Sequence, residues 1–217
     1  MIHPHTELRF ISTSIGYGVF ATAFIPKGTL MYVKDALEIE VDPVQFAALD
    51  PLLQEQVERY SYIDERGLRI VSWDLGKYVN HRCDCNTMST GYGFEIALRD
   101  IHPGDEITDE YGLFNIPEPM SLHCACPHCR GTLHVTDIDR LYPTWDRQIQ
   151  DALRHLEQVD QPLWPLVPAD VATEVLAYLH GRRMYRSVQS LKATSGPQII
   201  EIHPTAVNQT SYAQRLH

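Results

Sequence analysis

The chain has 217 residues, of which 44% are hydrophobic and 21% charged, and its formal net charge is −10. This composition is typical of one soluble globular domain with an appendage and excludes an intrinsically disordered chain. The acidic balance argues against a direct nucleic-acid partner and suits a basic protein or peptide partner. We see no export signal and no apolar run of about 18 residues, so we expect no membrane partner and a cytoplasmic location. A nuclear location, or secretion as an effector protein, is left open.

The first 112 residues have the pattern of small β-elements with one helical insert. Short strands are expected between residues 7 and 41, where β-forming residues alternate with glycine and proline turns. Residues 43–59 are expected to be helical, in two pieces divided at Asp50-Pro51. Further strands are expected at 60–63, 68–72, 94–99 and 106–111.

The C-terminal part has a helical pattern instead. One amphipathic helix is predicted by four residues at helical spacing: Trp145, Ile149, Leu153 and Leu156. The proline-rich stretch 161–168 must end it, and a second helix is expected near 171–180, with Asp170 as its cap and Gly181 at its end. Residues 194–217 are polar and unpatterned, which predicts a partly ordered tail.

All five cysteines lie between Cys83 and Cys129. The odd count and the tight clustering favour metal ligation over disulfides. Cys124, Cys126 and Cys129, joined by a distant fourth thiolate, could surround zinc tetrahedrally. Free buried cysteines are the competing interpretation, and we favour structural zinc. A zinc-dependent hydrolase is disfavoured, because all-thiolate sites are usually closed to water.

Three further segments carry residues of functional type. Gly16-Tyr17-Gly18 is by itself a hairpin turn, and it lacks the third glycine and the helix of a dinucleotide-binding fingerprint. Tyr78 to Asn86 contains Asn80-His81 followed by Cys83 and Cys85, and by itself is a loop with turn hydrogen bonds. Glu106 to Tyr111 is by itself a strand ending in a buried tyrosine.

In their order along the chain, these segments and the cysteine cluster resemble the SET-domain protein-lysine methyltransferases with a post-SET segment. The resemblance covers roughly residues 7 to 133. It implies a SET-type fold, mainly β, made of small sheets with a threaded C-terminal segment, plus a C-terminal helical extension. The implied divisions are a SET catalytic domain at 7–112, a zinc segment at 113–133, a helical extension at 134–193 and a polar tail at 194–217.

The resemblance also implies an activity, namely S-adenosylmethionine-dependent methyl transfer to a lysine side-chain amine of a protein. Tyr111 corresponds to the catalytic tyrosine. The cofactor would be bound by Gly16, Tyr17, Gly18, Asn80, His81 and Tyr111. A structural zinc would be bound by Cys83, Cys124, Cys126 and Cys129, with Cys85 as the alternative to Cys83 and with His123 and His128 as substitute ligands. Tyr17, Tyr60, Tyr62 and Tyr92 could line a lysine channel and are not assigned.

Four positions depart from the family pattern, and one of them is Glu110 in place of the usual aspartate. Arg82 replaces a serine, Cys85 a proline, and Asp109 an aromatic residue that often influences how many methyl groups are added. The alternative to an enzyme is a catalytically weak SET-fold adaptor that binds cofactor or a basic peptide. The acid at position 109 mildly favours this alternative. The C-terminal helices could select substrate or form a homodimer. The sequence specifies neither the substrate nor the methylation number.

Overall fold

In a computed structural model, residues 1–122, 124 and 126–194 are described, and they contain small sheets followed by helices. The first strands are β1 (Thr6–Ser12), β2 (Gly16–Ala21), β3 (Leu30–Val33), β4 (Ile39–Val41), β5 (Ser61–Ile63) and β6 (Arg69–Val71). The later strands are β7 (Asn80–His81), β8 (Thr87–Ser89), β9 (Phe94–Ala97), β10 (Glu106–Asp109), β11 (Met120–Ser121) and β12 (Thr132–Leu133). The helices are α1 (Pro43–Ala48), α2 (Pro51–Tyr60), α3 (Asp137–Leu153) and α4 (Ala169–Leu179). Short 3₁₀ helices cover Leu75–Tyr78, Tyr111–Leu113, Leu156–Gln158, Trp164–Leu166 and Val188–Leu191.

The strands form four small sheets with the orders β1-β2-β10-β7, β3-β9-β8, β4-β6-β5 and β11-β12. Neighbouring strands are antiparallel except β7 and β10, which pair in parallel with Thr108 opposite Asn80 and Asp109 opposite His81. This pairing places the Asn80-His81 segment beside the strand that leads to Tyr111, as the expected threaded arrangement requires. The expectation of a mainly β fold of small sheets is confirmed.

The helical insert forms two pieces, as predicted. Asp42 caps α1 through a reciprocal capping box with Gln45, and Asp50 caps α2 by accepting a hydrogen bond from the Leu52 N–H. Both helices have proline in the first turn, where its missing N–H costs no hydrogen bond.

The C-terminal extension shares a hydrophobic core with the sheets. Trp145, Ile149, Leu153 and Leu156 are all buried, so the predicted apolar face is confirmed, although Leu156 lies in the turn after α3. They pack in one cluster with β-sheet residues such as Leu30 and Ile96. The segment after α4 is fixed by buried Asp146, whose carboxylate accepts hydrogen bonds from the Tyr185 hydroxyl, the Ser187 hydroxyl and the Val188 N–H.

Two details of the C-terminal prediction change. Asp170 is not the cap of α4; the helix begins one residue before it, after Pro168, so Asp170 lies in the first turn, where its charge favours the positive end of the helix dipole. Gly181 follows the helix at a φ of +69°, as expected for a terminating glycine. The predicted tail from residue 195 onward lies outside the described residues. No helix in the described part of the chain is long and apolar enough to span a membrane.

Candidate functional site

The Gly16-Tyr17-Gly18 segment contacts the Asn80 side chain. The Asn80 amide donates hydrogen bonds to the Tyr17 carbonyl at 3.1 Å and to Glu106 Oε1 at 2.9 Å. A Cβ on Gly18 would lie 2.9 Å from the Asn80 amide nitrogen and 2.7 Å from Glu106 Oε1, so this close approach needs glycine. Gly16 has a φ of +87° and no described atom within 4 Å of its would-be Cβ, which leaves its backbone accessible.

His81 connects the same strand to Tyr111. The Tyr111 N–H donates to His81 Nδ1 at 3.2 Å, while His81 Nε2 lies 3.4 Å from the Cys83 sulfur. Burial, followed by the charge of Arg130, lowers the pKa of His81 to about 4. The imidazole is therefore neutral at pH 7 and acts as a fixed connector between two segments.

Tyr111 is aimed at the backbone next to Asn80. Its hydroxyl donates to the Val79 carbonyl at 2.6 Å. Burial, followed by the charges of Asp109 and Glu95, raises the pKa of Tyr111, so the hydroxyl stays protonated at neutral pH. The prediction that Tyr111 ends a strand is wrong by two residues: β10 ends at Asp109, and Tyr111 opens a 3₁₀ turn in which Glu110 accepts from the Gly112 N–H.

Tyr111 and Val79 line a cavity of about 350 Å³. Its aromatic walls come from Tyr32, Tyr60, Tyr62, Tyr111 and Phe114. Of the four unassigned tyrosines, Tyr60 and Tyr62 therefore line this cavity, whereas Tyr92 is buried in the core and Tyr17 is half exposed outside it. A cavity of this kind, with a hydroxyl and a carbonyl oxygen in an aromatic wall, suits an alkyl chain that ends in a nitrogen.

The same cavity contains two neighbouring carboxyl groups, Glu95 on β9 and Asp109 at the end of β10. Asp109 is only 1% exposed; its Oδ1 accepts from the Glu110 N–H at 2.7 Å, and its Oδ2 has no partner among the described residues. Burial raises the pKa of Asp109 above its usual range and that of Glu95 to about 7. The sequence indicated Asp109 as an acid in place of an aromatic residue, a change that mildly favoured the adaptor alternative, but Glu95 was missed. The signal was available, because Glu95 is the one acidic residue in the otherwise apolar strand Phe94–Ala97.

Three of the predicted zinc ligands converge. The Cys124 sulfur lies 3.7 Å from that of Cys83 and 3.4 Å from that of Cys126. Zn–S bonds of about 2.3 Å place tetrahedral sulfur ligands roughly 3.8 Å apart, close to each of these two separations. Among the described residues, however, the ligand atoms that all lie within 4.8 Å of one another belong to His81, Cys83 and Cys124, without Cys126. Burial opposes ionisation of Cys124, but hydrogen bonds from Cys83, Cys129 and Cys126 outweigh it and lower its pKa to about 7. Cys129 therefore belongs to the same cluster.

The alternative ligands lie elsewhere. Cys85 is buried in the hydrophobic core with residues such as Met88 and Ile96, which favours Cys83 as the fourth ligand. His128 is exposed, and His123 lies outside the described residues. The histidine that does approach the thiols is His81, through its contact with Cys83.

Arg130 connects the cysteine segment to the tyrosine turn. Its backbone N–H donates to the Cys83 sulfur at 3.4 Å, and its guanidinium donates to Glu110 Oε1 at 2.6 Å. Glu110 directly precedes Tyr111 and is 1% exposed. The sequence did not predict this ion pair between Arg130 and Glu110.

Comparison with known proteins agrees with this arrangement. The family model for the SET domain matches residues 16–112. This part of the chain is similar to a SET domain. The chain is also 27% identical over 139 residues to histone-lysine N-methyltransferase mes-4 of Caenorhabditis elegans, and 28% identical over 72 residues to histone-lysine N-methyltransferase ATX2 of Arabidopsis thaliana. These matches cover 54% and 30% of this chain but 16% and 7% of those proteins, so the chain spans less than a fifth of either relative.

A solved structure, the methyltransferase domain of human histone-lysine N-methyltransferase SETMAR, matches 61% of this chain and 58% of that chain at 16% identity, with a TM-score of 0.41. The matched SET-domain range begins at Gly16 and ends one residue after Tyr111. The structure brings together the residues predicted for the cofactor and for catalysis within this range. Cys83 also lies within this range, whereas Cys124, Cys126, Cys129 and the helical extension lie beyond it.

Proposed function

We propose that this protein transfers a methyl group from S-adenosylmethionine to a lysine side-chain amine of a basic protein or peptide. One observation carries the proposal: the Tyr111 hydroxyl and the Val79 carbonyl meet at 2.6 Å in the wall of an aromatic cavity. The Tyr111 N–H also donates to His81, and Val79 directly precedes Asn80 in the chain. The relatives' names, which describe histone-lysine methyltransferases, support this class of reaction.

The Gly16–Gly18 segment and the Asn80-His81 pair fit a cofactor with a polar amino-acid end and a flat ring. The Gly16 backbone is uncovered, Tyr17 presents an exposed aromatic side chain next to it, and His81 is uncharged. S-adenosylmethionine, when bound, supplies a methyl group on a positively charged sulfur. Tyr111 and Val79 would then face the amine from the cavity side.

The protein's own residues have two tasks in this reaction. A lysine amine has a pKa of about 10.4 in water and must lose its proton before it can act as a nucleophile. The Tyr111 hydroxyl and the Val79 carbonyl can orient the neutral amine, because the tyrosine stays protonated and the carbonyl accepts N–H or weak C–H contacts. The aromatic walls hold the alkyl chain and exclude water.

Cys83, Cys124, Cys126 and Cys129 would hold a structural zinc. The two sulfur separations from Cys124, to Cys83 and to Cys126, support thiolate ligands of one ion, and the Arg130 N–H donates to the Cys83 sulfur. A bound ion would fix Arg130 against Glu110 and thereby hold the turn that carries Tyr111.

The test is transfer of label from radiolabelled S-adenosylmethionine to core histones and ribosomal proteins. Tyr111→Phe should reduce transfer by about a hundredfold or more, because it removes the hydroxyl that orients the reacting groups. Tyr178→Phe in α4 is the matched control and should behave like wild type. Calorimetry should show that both variants still bind the cofactor.

Two results would contradict the proposal. Cofactor binding without transfer to any protein of the panel would favour the adaptor alternative. Absence of cofactor binding by wild type would remove the basis of the proposal altogether.

A further inference from the structure

The cavity beside Tyr111 contains an acidic pair, buried Asp109 and half-buried Glu95, whose charge is not neutralised by a lysine or arginine within the described part of the chain. Asp109 is 1% exposed, and its carboxyl shares a hydrogen bond with Glu95. Its Oδ2 accepts from no N–H or O–H group among the described residues, and no lysine or arginine there forms an ion pair with either carboxyl. A buried carboxylate without a cationic partner costs several kcal/mol, which proteins avoid unless the group has a use.

Burial and mutual repulsion govern how the pair holds protons. Two adjoining carboxyls in a low-dielectric site titrate as a unit, so one proton is retained well above the usual range of the carboxyl pKa. Because the pKa values of both carboxyls are raised, the pair retains a proton near neutral pH, and the carboxylate that is ionised can accept a second one.

Other charged groups act on this pair from several elements. The groups whose charge acts on one or both carboxyls are the Met1 ammonium, Asp74, Tyr62, Cys85, Glu110 and Tyr111. The remaining ionisable groups on the cavity wall are Tyr32, Glu58, Arg59, Tyr60, Arg69, Lys77 and Glu118. The Met1 ammonium favours the ionised form of Glu95 and Asp74 opposes it. The wall cations Arg59, Arg69 and Lys77 form no ion pair with either carboxyl within the described part of the chain, so a cation entering the cavity would find an unpaired carboxylate.

We propose that Glu95 and Asp109 form the ammonium-binding site of this cavity and accept the proton of the target amine. This inference rests on the proposed lysine methylation and names the groups that prepare the substrate for it. In the step, an N–H bond of the R–NH₃⁺ group breaks and an O–H bond forms on the ionised carboxylate. The nitrogen keeps the electron pair and becomes R–NH₂, and the carboxyl pair becomes neutral. The transfer turns an ion pair into two neutral groups, which a buried, largely aromatic site favours.

The binding part of the proposal is tested without any methyl transfer. The full chain, labelled with ¹³C in its aspartate and glutamate carboxyls, is titrated with n-butylammonium, which reproduces the lysine side chain, and with n-butanol as its uncharged analogue. Wild type should bind n-butylammonium saturably, with shifts of the two buried carboxyl signals, and should bind n-butanol at least tenfold more weakly. Asp109→Asn and Glu95→Gln should each weaken n-butylammonium binding at least tenfold.

The control is Glu55→Gln, which removes an exposed acid of α2 that does not line the cavity and should change binding less than twofold. Thermal melting of each variant shows that it is folded, and two independent substitutions guard against one that fails to fold. Equal binding by wild type and both cavity variants, equal binding of the alcohol, or no binding by wild type would overturn the proposal.

The proton-transfer part is tested by the pH dependence of kcat/KM for a lysine substrate of the wild-type protein. General-base assistance typically contributes a hundredfold or more, so Asp109→Asn should lower kcat/KM about a hundredfold at pH 7. The difference should shrink to a few-fold near pH 10, where the free amine is abundant. A ratio that is constant with pH would contradict proton acceptance by the pair. If wild type methylates no lysine but n-butylammonium binding still requires both carboxyls, the proposed function fails and the cation site stands.

Discussion

The ion pair between Glu110 and Arg130 allows a stability prediction that can be worked out from the structure. The two side chains meet at 2.6 Å and are 1% and 23% exposed. Besides Arg130, Glu110 Oε1 accepts a hydrogen bond from the Gly112 N–H at 2.8 Å. Arg130→Met keeps most of the packing volume and leaves the Glu110 carboxylate buried without its cation.

Removing one partner of a buried ion pair costs about 3–5 kcal/mol. Two features reduce the cost here. Arg130 is partly exposed, and burial already raises the pKa of Glu110, so that this carboxyl can take up a proton. We therefore expect a loss of about 2–3 kcal/mol at pH 7.5. Without Arg130 the folded-state pKa of Glu110 lies further above its unfolded value. The stability of the variant is therefore closer to that of wild type at low pH and falls further below it as the pH rises.

Urea denaturation of the zinc-loaded protein at pH 5 and pH 7.5 measures both effects. Glu110→Gln and the double variant complete a thermodynamic cycle, which should give a coupling energy of at least about 1 kcal/mol at pH 7.5. Additivity within about 0.5 kcal/mol, or a loss that does not depend on pH, would refute this account of the pair.

Three further predictions follow from the structure. Cys124→Ser should lose the bound zinc measured by atomic spectroscopy, whereas Cys85→Ala should retain it; equal loss would contradict the ligand assignment. Asp109→Asn should raise the melting temperature more at pH 8 than at pH 5, because the raised pKa of this carboxyl makes its contribution decline as the pH rises. Gly28→Ala should cost about 2–4 kcal/mol in urea unfolding, because its φ is +89° and the new Cβ would lie 2.6 Å from the His155 Cβ. Gly67 has a φ of +78° but open space around its would-be Cβ, so Gly67→Ala should cost only about 1 kcal/mol. Equal losses of stability in the two variants would show that the contact with His155 is unimportant.

Local patterns predicted most of the elements because local physical chemistry forms them. Asp42 and Asp50 cap α1 and α2 where the sequence places a break, and Trp145, Ile149 and Leu153 form one buried helical face. The boundaries were less predictable. The strand expected to reach residue 111 ends at Asp109, because Glu110 accepts from the Gly112 N–H and starts a turn.

The candidate site was only partly predictable. Tyr111, Asn80 and His81 were identified by their order along the chain, and the structure places them in contact with one another or with shared partners. Their proximity could not be worked out from periodicity, since it depends on the parallel pairing of β7 with β10 across roughly 30 residues of chain. Glu95 was missed because its importance depends on a neighbour in another sheet.

The sequence alone determined the class of the fold, the order of its elements and the residue types available for chemistry, because caps, turns and apolar spacing act over a few residues. Only the tertiary structure decided which of those residues share a space. It separated Cys83, beside Cys124, from Cys85 in the core, and it joined Arg130 to Glu110. It also enclosed Glu95 and Asp109 in the cavity beside Tyr111. Burial and the distance between charges set the chemistry of these groups, and both are properties of the packed chain rather than of any segment.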